Sequence, residues 1–289
     1  VTLAGGQTIT IPVGASSGTA TGTAPDDVFA GGASVANNIA TISGGNFEQL
    51  TPNTAPVTTT VTDDADATTV TLTATPSVVE GGSIVYTATL STAAQTAVTV
   101  TLANGATITI AAGATSGFVS VAAPSDDPYL DAGTVSTTIG SATGGGFEQL
   151  DVNAAPALTS VSDDVDATTV SLAATASVAE GGSIVYTATL SNAAQTPVTV
   201  TLSSGEAIII AAGATPGSVT IAAPSDDVHV DAGSVARTIA SASGGNFEAL
   251  TVNPAAATTT VTDTIDTTTV SITGDGVAAE GATASYTVS

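Results

Sequence analysis

Glu80-Gly81-Gly82-Ser83-Ile84-Val85-Tyr86-Thr87-Ala88-Thr89-Leu90-Ser91 returns unchanged at Glu180 through Ser191, a displacement of 100 residues. Ala122-Ala123-Pro124-Ser125-Asp126-Asp127 returns at Ala222 through Asp227, and Gly-x-Phe-Glu closes three units at Phe47, Phe147 and Phe247. A period of this length is too long for a solenoid repeat and matches a whole β-sandwich domain, so each unit is one folding module in an array. Within the repeated stretch, Ile84, Tyr86, Ala88 and Leu90 alternate with polar or smaller residues. That two-residue period belongs to a half-buried strand.

Outward from this strand the same alternation predicts six more. Val70, Leu72 and Ala74 precede it; Val98, Val100 and Leu102 follow, then Ile108 with Ile110, Val119 with Val121, Val135 through Ile139, and a last run from Ala157 to Val161. Turn residues rich in Gly, Pro, Asn and Asp separate the runs, and no window carries helical periodicity. The expectation is an all-β chain of tandem Ig-like β-sandwich domains, about seven strands each, in a linear rod.

Acidic linkers mark the boundaries at Asp63-Asp64-Ala65-Asp66, Asp163-Asp164-Val165-Asp166 and Asp263-Thr264-Ile265-Asp266. Residues 67–166 and 167–266 are complete repeats. Residues 1–66 form a partial repeat lacking the first two strands, because Val1-Thr2-Leu3 matches Val100-Thr101-Leu102. Residues 267–289 are the N-terminal part of a further repeat, with Glu280-Gly281 matching Glu180-Gly181. The chain thus reads as an interior piece of something longer, without an initiator Met or a signal peptide.

Charge narrows the function. One residue is Lys or Arg, 25 are acidic, and the formal net charge is -24. Nothing could neutralise phosphates, which argues against nucleic acid and against an anionic membrane surface. With 43% hydrophobic and only 9% charged residues, the chain has the composition of a folded protein. Cys is absent, so there are no disulfides and no thiolate metal sites. No apolar run is long enough to span a membrane, so no direct membrane insertion is expected.

An up-and-down strand count places the turn after the first strand (Glu80), the turn after the fifth (Asp126, Asp127, Asp131) and the exit of the last (Asp163, Asp164, Asp166) at one pole. Seven carboxylates gathered there repel one another unless a cation joins them. Several hard oxygen ligands without His or Cys favour Ca²⁺ over Mg²⁺. The next repeat restates the set as Glu180, Asp226, Asp227, Asp231, Asp263 and Asp266; the partial repeat keeps Asp26, Asp27, Asp63, Asp64 and Asp66 but has Gly31 where Asp131 stands. The plainer alternative is that these acids only make turns and keep the chain soluble. Glu148 and Asn153, at the opposite pole, read as loop caps that could also reach the preceding repeat's acids. His229 stands where Tyr129 and Phe29 stand in the sister repeats and reads as a packing residue, and the three loop Phe residues as packing elements.

The Glu-Gly-Gly-Ser-Ile-Val-Tyr run, the Asp-Asp-x-x-x-Asp turn, the Gly-Gly-x-Phe-Glu-x-Leu loop and the Thr-x-Val-x-Asp-x-x-Asp linker together resemble the Ig-like extender repeats of giant bacterial RTX-type adhesins. The resemblance implies type I secretion, an extracellular place on the bacterial surface, and a Ca²⁺-stiffened spacer that projects an adhesive tip in biofilms. Its partners would be neighbouring repeats of the same chain, and other copies head to tail. A repeat subunit of a self-assembling extracellular filament and a glycan- or protein-binding module are the alternatives. No unit contains a Ser/His/Asp set or a phosphate-cradling loop, so no enzyme is expected. Thr264 and Gly31 depart from the acidic pattern at two of the three junctions.

Overall fold

Strict alternation in sequence becomes strict alternation in burial. Along the strand Ser83–Leu90, residues Ile84, Tyr86, Ala88 and Leu90 are buried while Ser83, Val85 and Thr89 face solvent. The same pattern appears in Val98–Leu102 and Thr107–Ile110. In this computed structural model, which describes residues 1–274 and 276–289, every regular element is a strand. The chain divides into two units, Val1–Ser125 with Ala132–Ser162, and Asp126–Asp131 with Asp163–Ser289.

In the first unit, one sheet of the complete repeat runs Ser116–Ala122, Ser83–Leu90, Ala67–Ala74, Gln149–Val152. Facing it are two ladders, Thr107–Ile110 with Val98–Leu102 and Ile139–Gly144, and Gly133–Thr137 with Ala157–Ser162 and Ser77–Val79. The second unit repeats this order from Ala167–Ala174 to Ala257–Thr262. Each is a β-sandwich, with Val70, Ile84, Tyr86, Val98, Val100, Leu102, Ile108 and Ile110 filling the first core and their counterparts filling the second.

The structure adds two short strands to the seven expected and divides the sixth, read as one run from Val135 to Ile139, between two ladders as Gly133–Thr137 and Ile139–Gly144. The first strand is cut at Thr75-Pro76: Ala67–Ala74 stays in one sheet, while Ser77–Val79 crosses to pair in parallel with Ala157–Ser162. The buried Thr159 hydroxyl donates to the Thr75 carbonyl at 2.7 Å, which satisfies a backbone group just where the strand leaves its ladder. Gln149–Val152 pairs in parallel with Ala67–Ala74. Both additions are short and rest on parallel pairing with distant residues, so local alternation does not announce them.

The switch brings the acidic turn to its place. Glu80 N–H donates to Ser162 O at 3.0 Å, Gly81 N–H to Pro124 O at 2.7 Å, and Ala123 N–H to Gly82 O at 3.0 Å. Turn, fifth-strand exit and last-strand exit therefore meet at one end, as the strand count predicted. Glu180, Gly181 and Ala223 make the corresponding bonds to Thr262, Pro224 and Gly182 in the second unit.

Residues 1–66 are assembled differently. Thr2–Leu3 pairs with Ile39–Thr41 and Ser34–Asn37 with Val57–Thr60, and none of these 66 residues is buried. Residues 267–289 hold one two-stranded ladder and are exposed throughout the described positions.

Core and surface positions on one strand should respond very differently. Ile108→Ala should lower stability by about 2–5 kcal/mol through lost contacts and a cavity, while Thr109→Ala next to it should change stability by less than about 0.5 kcal/mol. Urea unfolding followed by circular dichroism checks both.

Candidate metal centre

The acidic turns begin as local hydrogen bonding. Asp27, Asp127 and Asp227 each accept the backbone N–H two residues on, from Phe29 at 2.9 Å, Tyr129 at 2.9 Å and His229 at 2.8 Å. This is the turn that Asp makes readily. Its product is an aromatic ring presented to the loop of the following repeat. In the first unit Phe29 stacks on Phe147, with centroids 5.5 Å apart and planes 19° from parallel. In the second unit Tyr129 stacks on Phe247 at 5.6 Å and 24°.

Backbone bonds flank each stack. Ala30 N–H donates to Gly146 O at 2.9 Å and Glu148 N–H to Val28 O at 3.1 Å; Leu130 N–H donates to Asn246 O and Glu248 N–H to Pro128 O, both at 3.1 Å. Tyr129 adds a phenolic bond to Ala193 O at 2.6 Å that Phe29 has no hydroxyl to make. The receiving loop needs glycine. Gly145 sits at φ +88°, and a Cβ there would fall 2.2 Å from the Phe147 ring.

This docking explains why 126–131 groups with the second unit although the sequence repeat assigns it to residues 67–166. It also brings in Glu148, read from the sequence as a loop cap that could also reach the preceding repeat, and its counterpart Glu248. Glu148 accepts Asp66 N–H at 2.7 Å, and Glu248 accepts Asp166 N–H at 2.6 Å. Asn153 does cap its own loop, accepting Ala155 N–H at 2.9 Å.

The first Asp of each linker ties the turn. Asp63 accepts Gly31 N–H at 2.7 Å and Asp263 accepts Asp231 N–H at 3.1 Å, while the Asp131 N–H to Asp163 contact is longer, 3.4 Å. Beyond these, Asp26, Asp64 and Asp66 place one oxygen each within 4.8 Å of the others, as do Glu180, Asp231 and Asp263. Oxygens bound to one Ca²⁺ at about 2.3–2.6 Å stand at most about 5 Å apart, so both sets fit a calcium ion. Asp126 shares a side-chain hydrogen bond with Asp164. Thr264 replaces that second Asp in the next repeat; its hydroxyl bonds Asp226 and its N–H donates to Glu180 at 3.0 Å. Glu80 is buried in its turn, and Asp266 is exposed.

Crowding shows in the protonation equilibria. The charges of Asp64 and Asp66, then partial burial and Asp27, push the Asp26 carboxyl above its ordinary 3.8. The hydrogen bond with Asp164, then burial and the neighbouring acids, does the same to Asp126. At Glu180 the Thr264 N–H pulls downward, but burial with Asp263, Asp231 and Asp226 outweighs it, and the net shift is upward.

A carboxyl raised in the folded state binds its proton more tightly there than in the unfolded chain. Its contribution to stability is therefore gained as pH falls through the interval above 3.8 (4.5 for Glu180) and lost as pH rises through it. In chelator, the melting temperature should rise as pH is lowered from neutrality toward the ordinary carboxylate range, the reverse of ordinary acid denaturation. Calorimetry at several pH values checks this; a steady fall over the interval would show that the clusters carry no electrostatic strain.

The repeats have relatives by family model. The LapA domain matches three times in succession, over residues 1–64, 66–164 and 166–264. No curated protein matches the chain. The matched segments cover most of the 289 residues. The chain belongs to the LapA domain family and is a repeat region of the large-adhesin type.

Proposed function

We propose that this chain is a spacer of a bacterial cell-surface adhesin, secreted to the cell exterior, whose repeat junctions are stiffened by Ca²⁺ so that a ligand-binding tip is held away from the cell. The observation that carries the reading is the junction itself. In each unit an acidic turn docks by an aromatic stack and paired backbone bonds on the loop of the following repeat, beside the linker carboxylates. A mere solubilising charge would have no reason to be tied to a docking contact.

Asp26, Asp64 and Asp66 would hold an ion in the first unit, and Glu180, Asp231 and Asp263 in the second. Glu80, Asp126, Asp131, Asp163, Asp164 and Asp166 are the corresponding acids of the repeat between. Bound calcium supplies the positive charge that a chain with a formal net charge of -24 lacks. The protein's own residues do the rest: the first linker Asp orients the turn, and Glu148 or Glu248 fixes the linker backbone. Gly31 and Thr264 each remove one carboxylate, so the junctions at residues 26–66 and 226–266 should bind more weakly than the middle one.

The chain reads as non-catalytic, with its chemistry in ion binding and in the contacts between repeats. Among the described residues no helix is long and apolar enough to cross a membrane.

Solution scattering with calcium and then with chelator tests the proposal. Calcium should narrow the distribution of particle dimensions and raise the melting temperature, with stabilisation of about 3 kcal/mol at a hundredfold excess over the dissociation constant. The double substitution Asp163→Asn and Asp166→Asn should loosen the middle junction while leaving both sandwiches folded. If chelation leaves dimensions and melting temperature unchanged, the calcium role is wrong.

A further inference from the structure

The division of the sixth strand leaves a backbone edge open inside a complete repeat. Gly133–Thr137 ends its sheet beside Ala157–Ser162, because the strand Val98–Leu102 pairs with the later segment Ile139–Gly144 and stops there. Bonds on either side show which way the edge groups point. Ser160 N–H donates to Pro76 O at 3.0 Å, so Ser160 faces away from this ladder and Thr159, opposite Val135, faces into it. On the far side Thr138 O accepts Ala103 N–H at 2.9 Å. Backbone groups alternate in direction along an antiparallel strand, so the N–H and C=O of Thr134 and Ser136 point to the open side. Among the described residues no strand pairs there, and neither a charge nor a proline interrupts Gly133–Thr137.

The second complete repeat closes the same edge. Its strand Gly233–Arg237 ends in the chain's single Lys or Arg residue. Arg237 Nη1 donates at 3.0 Å to Ala236 O, the counterpart of the outward Ser136 carbonyl. Ser203 adds a hydroxyl that accepts Thr238 N–H at 3.2 Å. At these positions the first repeat has Thr137, buried with its hydroxyl unpartnered, and Ala103, which has no hydroxyl. A charged side chain on an edge strand is a common protection against pairing with another chain. One edge is guarded and its twin is bare.

We propose that Gly133–Thr137 is a strand-addition site whose occupant is the same edge of a second copy, paired antiparallel about a two-fold axis at Val135. In that register Thr134 meets the partner's Ser136 and Ser136 meets the partner's Thr134, and each pair exchanges N–H and C=O bonds. A second copy fits because the edge is its own complement, with donors and acceptors at the spacing its mate requires. It is also an uncharged stretch on a chain whose formal net charge of -24 repels other copies elsewhere. One short strand pair buries less than the roughly 1,000 Å² of a stable interface, so the association is weak. The proposal rests on backbone pairing and requires no calcium.

Sedimentation velocity of the 289-residue chain in chelator is the test, in about 0.5 M salt so that repulsion between acidic chains is screened. The average mass should rise with concentration toward that of a dimer, and hydrogen exchange at the Thr134 and Ser136 amides should slow with it. Ser136→Pro removes an outward N–H that the repeat's own ladder does not use, and should keep the chain monomeric. Thr137→Arg installs the second repeat's guard on a backbone that already carries it there, and should do the same. Arg237→Thr with Ser203→Ala should bare the second edge and carry the mass beyond a dimer, since each chain can then pair twice. A monomer at every concentration, or an association unchanged by both Ser136→Pro and Thr137→Arg, overturns the proposal. Because chelator is present throughout, this outcome is independent of the calcium reading.

Discussion

The seating of one aromatic ring on another sets the position of nearly everything that matters at a junction. Phe29 on Phe147, and Tyr129 on Phe247, fix the acidic turn against the loop that follows it. Once the turn is fixed, the linker Asp residues lie beside it and the loop Glu reaches the linker N–H. An offset aromatic stack contributes only about 0.5–1.5 kcal/mol beyond its buried area. That is a modest gain to set against several carboxylates brought together, whose mutual charge helps to raise the carboxyls of Asp26, Asp126 and Glu180. The aromatic contact selects the geometry, and the crowded carboxylates are left with unbalanced charge.

Glycine makes the seat possible. A loop of consecutive left-handed residues lets the Phe ring fold back over its own backbone, where a Cβ at Gly145 or Gly245 would collide with it. Asn246 takes the position of Gly146 at φ 60°, as Asn tolerates this region better than other side chains. The aromatic partner varies more freely. Tyr129 gains a bond to Ala193 that Phe29 lacks, while His229 carries an imidazole in the same place. The receptor is held nearly constant while the inserted ring is tuned from repeat to repeat.

Much of this was legible in the sequence, for a physical reason. A strand with one buried face imposes a two-residue period, so Ile84, Tyr86, Ala88 and Leu90 declare both their element and their burial. The convergence of Glu80, Pro124 and Ser162 followed from counting strand directions. Contacts between distant residues were not legible. The crossing strand Ser77–Val79 and the parallel strand Gln149–Val152 have too few residues for a period to show. For Glu148 the sequence left a loop cap and a reach to the preceding repeat both open, and only the placed Asp66 N–H decides between them. One signal could have found the stack: an aromatic or His recurs two residues after the turn pairs Asp26-Asp27, Asp126-Asp127 and Asp226-Asp227, in step with the Phe of each Gly-x-Phe-Glu loop. Two periodic aromatic positions in so aromatic-poor a chain invite pairing.

The junctions differ in charge, and Thr264 shows how. In the middle repeat Asp164 stands against Asp126 and raises its carboxyl above the ordinary value. One repeat later the Thr264 hydroxyl stands in that place and donates to Asp226. Gly31 removes a carboxylate from the first junction in a different way, offering only its N–H to Asp63. Both changes relieve repulsion without metal, and both subtract an oxygen that could bind one. Repulsion in the apo chain and affinity for a cation rise together, because the same carboxylates produce both. On the proposed calcium role, a junction that depends strongly on the ion is also one strained in its absence, and repeats with unequal acid counts would stiffen one junction at a time as calcium rises.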